Sequence, residues 1–341
     1  MPDRPLIPVI AGPTASGKTA LAVACAKVAQ QRGLVAAGAA GVVSADAFQV
    51  YRGLDIATGK PTPVERQGVE HFLIDILEPD DAGGAFSVAR WLERATQAVA
   101  QIEGRDGWPI VAGGTHLYIK ALFDGLFEGP AADEALRAQL SAMPADLLRA
   151  ELERVDPIAA GRIHPADKRR TIRAVEVYRL TGRPISEHQA QWDASGPGGH
   201  PLADRLLLVT LLSDTPSTNH RINARVRAMV EAGLVEETRG LHEAGRLGPQ
   251  ASQALGTKQI LEHLDSGFSL EDAVERIKIE TRRFAKNQRT WLRRLAATPR
   301  TQPMSLRFDP QSATVHDMAQ AIVRQCFRLD SGPTTNSLST P

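Results

Sequence analysis

The chain has 341 residues, 43% hydrophobic and 23% charged, with a formal net charge of +1. At roughly 100–200 residues per domain this suits about two domains, or one domain carrying an insertion. The near-neutral balance excludes a globally basic nucleic-acid binder, so any such surface must be local. No run approaches the roughly 20 apolar residues of a membrane span. Cys25 and Cys326 form neither a disulfide framework nor a metal-ligand spacing. The opening Met-Pro-Asp-Arg-Pro lacks the longer apolar stretch of a secretory leader. A cytoplasmic protein is expected.

Leu6 to Ala11 is an apolar run ending at a glycine and reads as a first strand, and Thr19 to Gln30 as an Ala-rich helix. Val42 to Asp46 reads as a second buried strand closing in polar residues, and Phe72 to Ile76 as a third. Val88 to Glu103 carries Trp91, Leu92, Ala95, Val99 and Ile102 on one helical face. Pro109 to Ala112 is a fourth strand and runs into Gly113-Gly114-Thr115. Strands alternating with helices imply a mostly parallel sheet covered on both faces. Ligands of such sheets gather at the carboxyl ends of the strands. From about residue 125 the pattern changes: residues 130–190 are helical and charged, and Ala194 to Pro201 is a Gly/Pro/Ser-rich linker. Arg205 to Leu212 (RLLLVTLL) returns as a strand, with helices from Asn219 to Ala244 and from Glu271 to Leu295.

Between the first strand and the first helix, Gly12-Pro13-Thr14-Ala15-Ser16-Gly17-Lys18-Thr19 meets the pattern G-x-x-x-x-G-K-[ST] in full. The glycines let the backbone curl so that its N–H groups point inward, and the helix N-terminus adds its dipole. Lys18 brings a point charge and the Thr19 hydroxyl suits Mg²⁺, so all eight residues are expected to grip a diphosphate or a nucleotide. The expected architecture is α/β: a P-loop NTPase-like core from residues 1–124 and 202–310, its parallel sheet covered by helices. An all-helical domain is inserted at 125–201, and a polar, disordered tail is expected at 331–341.

The loop by itself does not fix the reaction. An ATPase commonly closes a buried strand with a carboxylate that helps hold Mg²⁺. Here Ile110-Val111-Ala112 runs straight into Gly-Gly-Thr, leaving Asp46 and Asp75 as substitutes. Two basic stretches point away from a small substrate. Residues 168–183 hold Lys168, Arg169, Arg170, Arg173, Arg179 and Arg183 against Glu176, and residues 276–295 hold eight basic residues against Glu280. In the second stretch Lys278, Arg282, Lys286, Arg289 and Arg293 are expected on one helix face, opposite a core stripe of Ile277, Phe284, Trp291 and Leu295. A cationic face is usually only a solvated face. Two such stretches on a neutral chain favour RNA, whose phosphates arginines would contact.

Six segments, taken in order, resemble the tRNA dimethylallyltransferase (tRNA isopentenyltransferase) family of bacterial type. They are GPTASGKT (12–19), SADAFQVYRGLDIATGKP (44–61), GGTHLYIKAL (113–122), HPADKRRTIRAVE (164–176), ALGTKQ (254–259) and TRRFAKNQRTWLR (281–293). The resemblance implies transfer of a dimethylallyl group from dimethylallyl diphosphate to N6 of adenosine 37 in tRNAs that read codons beginning with U. Mg²⁺ is the implied cofactor, the anticodon stem-loop the implied partner, and the helical insertion a tRNA contact. A monomer without membrane attachment is expected. The implied catalytic residues are Asp46, Lys18, Thr19 and Thr115. The loop from Gly12 to Thr19 holds the diphosphate, with Thr19 on the metal.

The implied tRNA contacts are Asp46, Ala47, Phe48, Gln49 and Thr115, then Arg137, Arg169, Arg170, Thr171, Ile172 and Arg173, and finally Arg282, Lys286 and Arg289. Such chemistry suits these residue types. A P-loop stabilises a diphosphate leaving group as its charge grows, and a carboxylate such as Asp46 can take the proton of the adenine amine. The base must leave its stack to be attacked. The chain departs from the family at Ala47, commonly serine, at Ala57-Thr58-Gly59-Lys60, at Thr257 and at Asn287, and it has no Cys/His pair for a C-terminal zinc finger. A P-loop small-molecule kinase is the alternative reading.

Overall fold

The computed structural model describes residues 4–80, 86–126, 129–193, 199–267, 269–298, 301 and 304–329. The tail expected at 331–341 and residues 194–198 of the expected linker lie outside the described residues. The elements in chain order are β1 (Ile7–Ala11), α1 (Lys18–Gln31), β2 (Gly41–Ala45), α2 (Pro63–Arg66), β3 (Glu70–Phe72), α3 (Val88–Glu103), β4 (Pro109–Gly113) and α4 (His116–Asp124). Next come α5 (Glu134–Ala142), α6 (Ala145–Val155), α7 (Pro157–Arg162), α8 (Lys168–Thr181) and α9 (Ile185–Asp193). Then follow β5 (Leu206–Leu211), α10 (Thr215–Glu231), α11 (Leu234–Glu243), α12 (Thr257–Ser266), α13 (Leu270–Ala296), β6 (Ser305–Phe308) and α14 (Val315–Cys326). Two compact units result, Met1–Phe123 with Leu202–Pro341 and, separately, Asp124–Pro201.

The first unit is a six-stranded sheet in the order β3-β2-β4-β1-β5-β6, every pair parallel. Side chains alternate across it as the pleat requires. Ile7, Val9 and Ala11, with Val43, Ala45, Val111, Leu206 and Leu208, pack one face against residues of α3, α4, α10, α11 and α13. Ile10, with Val42, Ile110, Ala112, Leu207, Val209 and Leu211, packs the other face against α1 and α14. Burial on both faces is why these strands read as continuous apolar runs. The alanines of α1 let it lie close to the sheet: Ala22, Cys25, Ala26 and Ala29 are fully buried. In α3, Trp91, Ala95, Val99 and Ile102 are buried as their spacing predicts, while Leu92 is only half-buried.

Three differences from the sequence expectations have local causes. The third strand ends at Phe72 rather than Ile76, because Leu73 and Asp75 take left-handed backbone angles of φ 63° and 56°. The Asp75 carboxylate pairs with the Lys60 ammonium, and the Asp75 amide donates to the Gln49 carbonyl at 3.1 Å. The turn is therefore held by residues far away in sequence. The helix expected over 219–244 is two helices, broken where Gly233 adopts φ 101°, a conformation open to glycine. Beyond the expected elements, β6 adds a short edge strand and α14 covers α1.

The second unit is helical, with a core of Leu140, Leu148, Leu152, Ala159, Ala160, Ala174, Val175, Val177 and Ile185. Three of its helices start on aspartates: Asp133, Asp156 and Asp167 each accept from an amide of the first turn of α5, α7 and α8. Such caps contribute about 1 kcal/mol each. Asp156, 1% exposed, also accepts from the Ser186 amide at 2.9 Å and so ties the start of α9 to α7.

Candidate active site

The carboxyl edge of the sheet gathers the loops singled out in the sequence. Gly12–Gly17 follows β1, Asp46 follows β2 and Gly114-Thr115 follows β4; Ser213-Asp214, to which no sequence motif pointed, follows β5. The P-loop is closed tightly. Gly17 caps α1 at φ 85° and Ala15 sits at φ 60°, which aims successive amides inward. At Gly12 a Cβ would lie 2.4 Å from Ser16 Oγ and 3.2 Å from the Leu211 carbonyl, so only glycine fits there. The Ser16 hydroxyl is buried and has no hydrogen-bond partner among the described residues. An orphaned donor inside the loop marks the place of a ligand group.

Lys18 folds back over the loop and donates from Nζ to the Pro13 carbonyl at 2.7 Å. Burial, and then the Arg225 guanidinium, push its pKa down to about 8, with Asp46 acting in the opposite sense. Arg225, on α10, is itself held below the usual arginine value by burial, against the pull of Asp46 and Glu65. A Cβ on Gly59 would overlap the Arg225 guanidinium, so that glycine makes room for it. Two mutually repelling, desolvated cations thus stand at the loop, an arrangement that an arriving anion would relieve. Arg225 escaped the sequence reading because its neighbours on α10 form no phosphate motif; only the fold brings it to the loop.

Asp46 ends β2 in a turn of its own making. Its Oδ1 accepts from the amides of Phe48 at 2.9 Å and Gln49 at 3.3 Å. Thr115 binds the same turn from β4: its amide donates to the Ala45 carbonyl at 3.1 Å and its Oγ1 accepts from the Ala47 amide at 3.1 Å. Instead of capping α4, the Thr115 hydroxyl therefore braces the Asp46 turn, and its proton remains available for a substrate. Trp91 braces β2 from below, its indole N–H donating to the Ser44 carbonyl at 2.9 Å while its ring stacks on Tyr118 at 4.7 Å. At Gly113 a Cβ would fall 2.2 Å from the Ala45 carbonyl, so the close approach of the two strand ends requires glycine.

Asp46, Thr115 and Arg225 open onto one cavity of about 600 Å³ within the first unit. Thr14, Asp46, Thr115, Arg225 and Gln288 stand on its polar wall, and Phe48, Ile222, Val226, Met229, Ile277 and Phe284 on its apolar wall. Phe284, expected in the core stripe of α13, is 38% exposed and belongs to this wall; the buried stripe runs instead through Ile277, Ala285, Gln288, Leu292 and Leu295. Gln49 turns away: Ser44 Oγ donates to its carbonyl oxygen at 2.9 Å, and its amide nitrogen faces the carbonyls of Thr58 and Gly59. Ala47 lines the cavity beside Asp46, with no hydroxyl to offer there. Thr19 lies on a separate groove along α1, and Asp75, paired with Lys60, is not on the cavity wall.

The expected RNA-contacting residues divide by exposure. On α13, Lys286 is exposed and Arg282 donates to Asn223 at 3.2 Å. Arg289, expected on the outer cationic face, is only 7% exposed, and its Nη1 has no hydrogen-bond partner among the described residues. In the helical unit Arg169 and Arg170 are exposed. Thr171 is buried and donates to the Asp167 carbonyl, and Ile172 packs on the core. Arg137 and Arg173 both bind the fully buried Glu176 carboxylate, at 2.9 and 2.7 Å. Burial pushes the Glu176 carboxyl up; hydrogen bonds from Arg173, the Asp133 amide and Arg137 outweigh it and leave it below the ordinary value. Among the described residues no cluster of three or more His, Cys, Asp or Glu side chains offers a protein-built metal cage.

A parallel sheet with a P-loop after β1, an aspartate after β2 and a largely apolar cavity beside them define an α/β enzyme core of P-loop type. Residues 49–295 match the family model described as IPP transferase, and the chain belongs to that family. It is 41% identical over 292 residues to the tRNA dimethylallyltransferase of Geobacillus kaustophilus, covering 84% of this chain and 87% of that one. With the tRNA dimethylallyltransferase of Roseiflexus castenholzii it shares 39% over 330 residues, 94% and 99% of the two chains. Among solved structures, the tRNA isopentenylpyrophosphate transferase of Bacillus halodurans is similar at 33% identity and a TM-score of 0.63, covering 96% of this chain and 99% of that one. A eukaryotic dimethylallyltransferase acting on tRNA is similar at 27% identity and a TM-score of 0.74, covering 93% and 77%. No helix among the described residues is long and apolar enough to cross a membrane.

Proposed function

We infer that this chain transfers the dimethylallyl group of dimethylallyl diphosphate to N6 of adenosine 37 in tRNAs that read codons beginning with U. The observation that carries this reading is the shared cavity: Thr14 of the P-loop, Asp46 and Arg225 line it together with Ile222, Val226, Met229 and Phe284, and Lys18 is coupled electrostatically to both Asp46 and Arg225. An apolar wall next to a diphosphate cradle suits a prenyl ester. A kinase would need a polar acceptor pocket there instead, which is why the prenyl reading is favoured.

In the transfer the adenine N6 lone pair forms a bond to C1 of the donor, the C1–O bond breaks, and inorganic diphosphate leaves. Lys18, Arg225 and the inward amides of residues 15–19 stabilise the negative charge as it grows on the leaving oxygen. Asp46 takes the N6 proton, and the Thr115 hydroxyl positions the base beside it. Phe48, on the cavity wall, offers a face to a base out of its stack. Mg²⁺, when bound, supplies further positive charge to the diphosphate. Thr19, on the groove along α1, is the residue that would offer it a protein oxygen, and among the described residues there is no acidic cluster that would hold it instead. Lys286, Arg169 and Arg170, all exposed, are the arginine and lysine contacts best suited to RNA phosphates of an anticodon stem-loop. The enzyme is read as a cytoplasmic monomer.

The test is mass spectrometry of tRNA nucleosides after incubation with dimethylallyl diphosphate and Mg²⁺. Asp46→Asn is the informative variant, since an amide oxygen still accepts from the Phe48 and Gln49 amides while losing the base. Transfer should fall by roughly 10²–10⁴-fold with diphosphate affinity kept. Normal turnover in this variant removes Asp46 from the chemistry.

A further inference from the structure

Gln288 lies on the buried stripe of α13 and is 3% exposed. Its Oε1 accepts from the Thr14 amide at 3.0 Å, and its Nε2 donates to the Gly114 carbonyl at 2.8 Å. An amide N–H faces one end of the side chain and a carbonyl the other, so only one orientation of its amide group satisfies both. Each partner sits in a loop of the site. Thr14 belongs to the P-loop; Gly114 precedes Thr115, which braces Asp46. Gly114 is fitted to the glutamine: a Cβ there would lie 2.5 Å from Gln288 Nε2 and 3.3 Å from the Gly12 carbonyl.

We propose that Gln288 is a positioning residue that locks the P-loop to the Asp46–Thr115 corner, fixing the distance between the leaving diphosphate and the proton acceptor. It touches no reacting atom; it acts through Thr14 and Gly114. The Thr14 amide is taken up by Gln288 rather than aimed at an anion, which leaves the amides from Ala15 onward for the phosphates. Leucine at 288 has nearly the same volume and neither hydrogen bond, so it would free both loops while preserving the stripe. Errors of about 1 Å in such registrations cost far more in rate than in binding. The proposal rests on the prenyl-transfer reading for its catalytic consequence, but not for its effect on the loop.

The experiment pairs two readouts on Gln288→Leu, Gln288→Ala, Gly114→Ala and the Gly114→Ala/Gln288→Ala double variant. Calorimetry with inorganic diphosphate and Mg²⁺ reads the loop; single-turnover transfer to an anticodon stem-loop reads the registration, and circular dichroism melting gives the folded fraction. Expected for Gln288→Leu are diphosphate affinity weakened about tenfold and transfer slowed by more than that, with tRNA affinity within threefold of the parent. Gly114→Ala alone should be comparably impaired, and its effect should shrink to within threefold once Gln288→Ala removes the clash. Diphosphate affinity and transfer within twofold of the parent in Gln288→Leu overturn the proposal. So do additive effects of Gly114→Ala and Gln288→Ala, or losses that vanish when activity is scaled to folded protein. An unmodified protein that binds diphosphate but transfers nothing would refute the prenyl reading and leave the strut to be judged on diphosphate affinity alone.

Discussion

Lys18 should make diphosphate binding and the stability of the empty protein respond to pH with opposite signs. In the empty loop its pKa is about 8 against 10.5 for an unhindered lysine, with burial the main cause. At that value the ammonium is roughly 90% protonated at pH 7 and roughly 10% at pH 9. An anion needs the charged form, so the lysine's contribution to affinity holds below pH 8 and falls about tenfold per pH unit above it. The stability sign is reversed. Because the folded pKa is depressed, keeping the charge in the loop costs at most on the order of 3 kcal/mol, less because the side chain is partly open to water. That cost is fully present below pH 8 and disappears as pH rises from 8 to 10.5. Lys18→Met removes both effects. The assay is calorimetric titration of inorganic diphosphate into the parent and into Lys18→Met from pH 6.5 to 10, with melting of both empty proteins. The diphosphate's own titration is common to the two and cancels in the ratio of affinities. A ratio that is flat through pH 9, or an empty Lys18→Met protein that melts well below the parent at pH 7, refutes the reasoning.

Other substitutions test other parts of the same geometry. Arg225→Gln should weaken diphosphate binding by roughly tenfold or more and, since Arg225 helps depress Lys18, should move the break in the pH profile upward; the same calorimetry reads both. Glu237→Ala should lower the melting temperature by roughly 5–10 °C, because its carboxylate accepts from three successive amides, Asp55, Ile56 and Ala57, at 2.8, 2.7 and 3.0 Å. Glu176→Gln should cost the helical unit about 3 kcal/mol by leaving Arg137 and Arg173 without their buried partner. The Glu176 carboxyl is held below 4.5 in the folded unit, so its contribution is present above that pH and is lost as pH falls through the folded value. Acid titration of the helical signal should therefore be shallower in Glu176→Gln.

The sequence by itself determined whatever depends on local chemistry. The run from Gly12 to Thr19 needs its glycines, lysine and threonine in a fixed order to make a phosphate loop, and that order survives as text. Strands buried on both faces need unbroken apolar runs, so β1, β2, β4 and β5 were legible, as was the α/β class. The ordered segments from Gly12 to Arg293 were enough to reveal the family. The tertiary structure decided what depends on residues distant in the chain. Asp75 is drawn into a left-handed turn by Lys60, which an apolar LID run conceals. Arg289 and Arg173 look alike on paper, as solvated cations, yet one is buried and the other clasps Glu176. Arg225 and Gln288 carry no motif, because what they contribute is a position: a guanidinium beside Lys18 and Asp46, and an amide of the right length between Thr14 and Gly114. A helix records in its sequence which of its faces is apolar. What that face meets is set by the packing of the whole sheet, and there α13 places a glutamine where its periodicity alone would call for a hydrophobe.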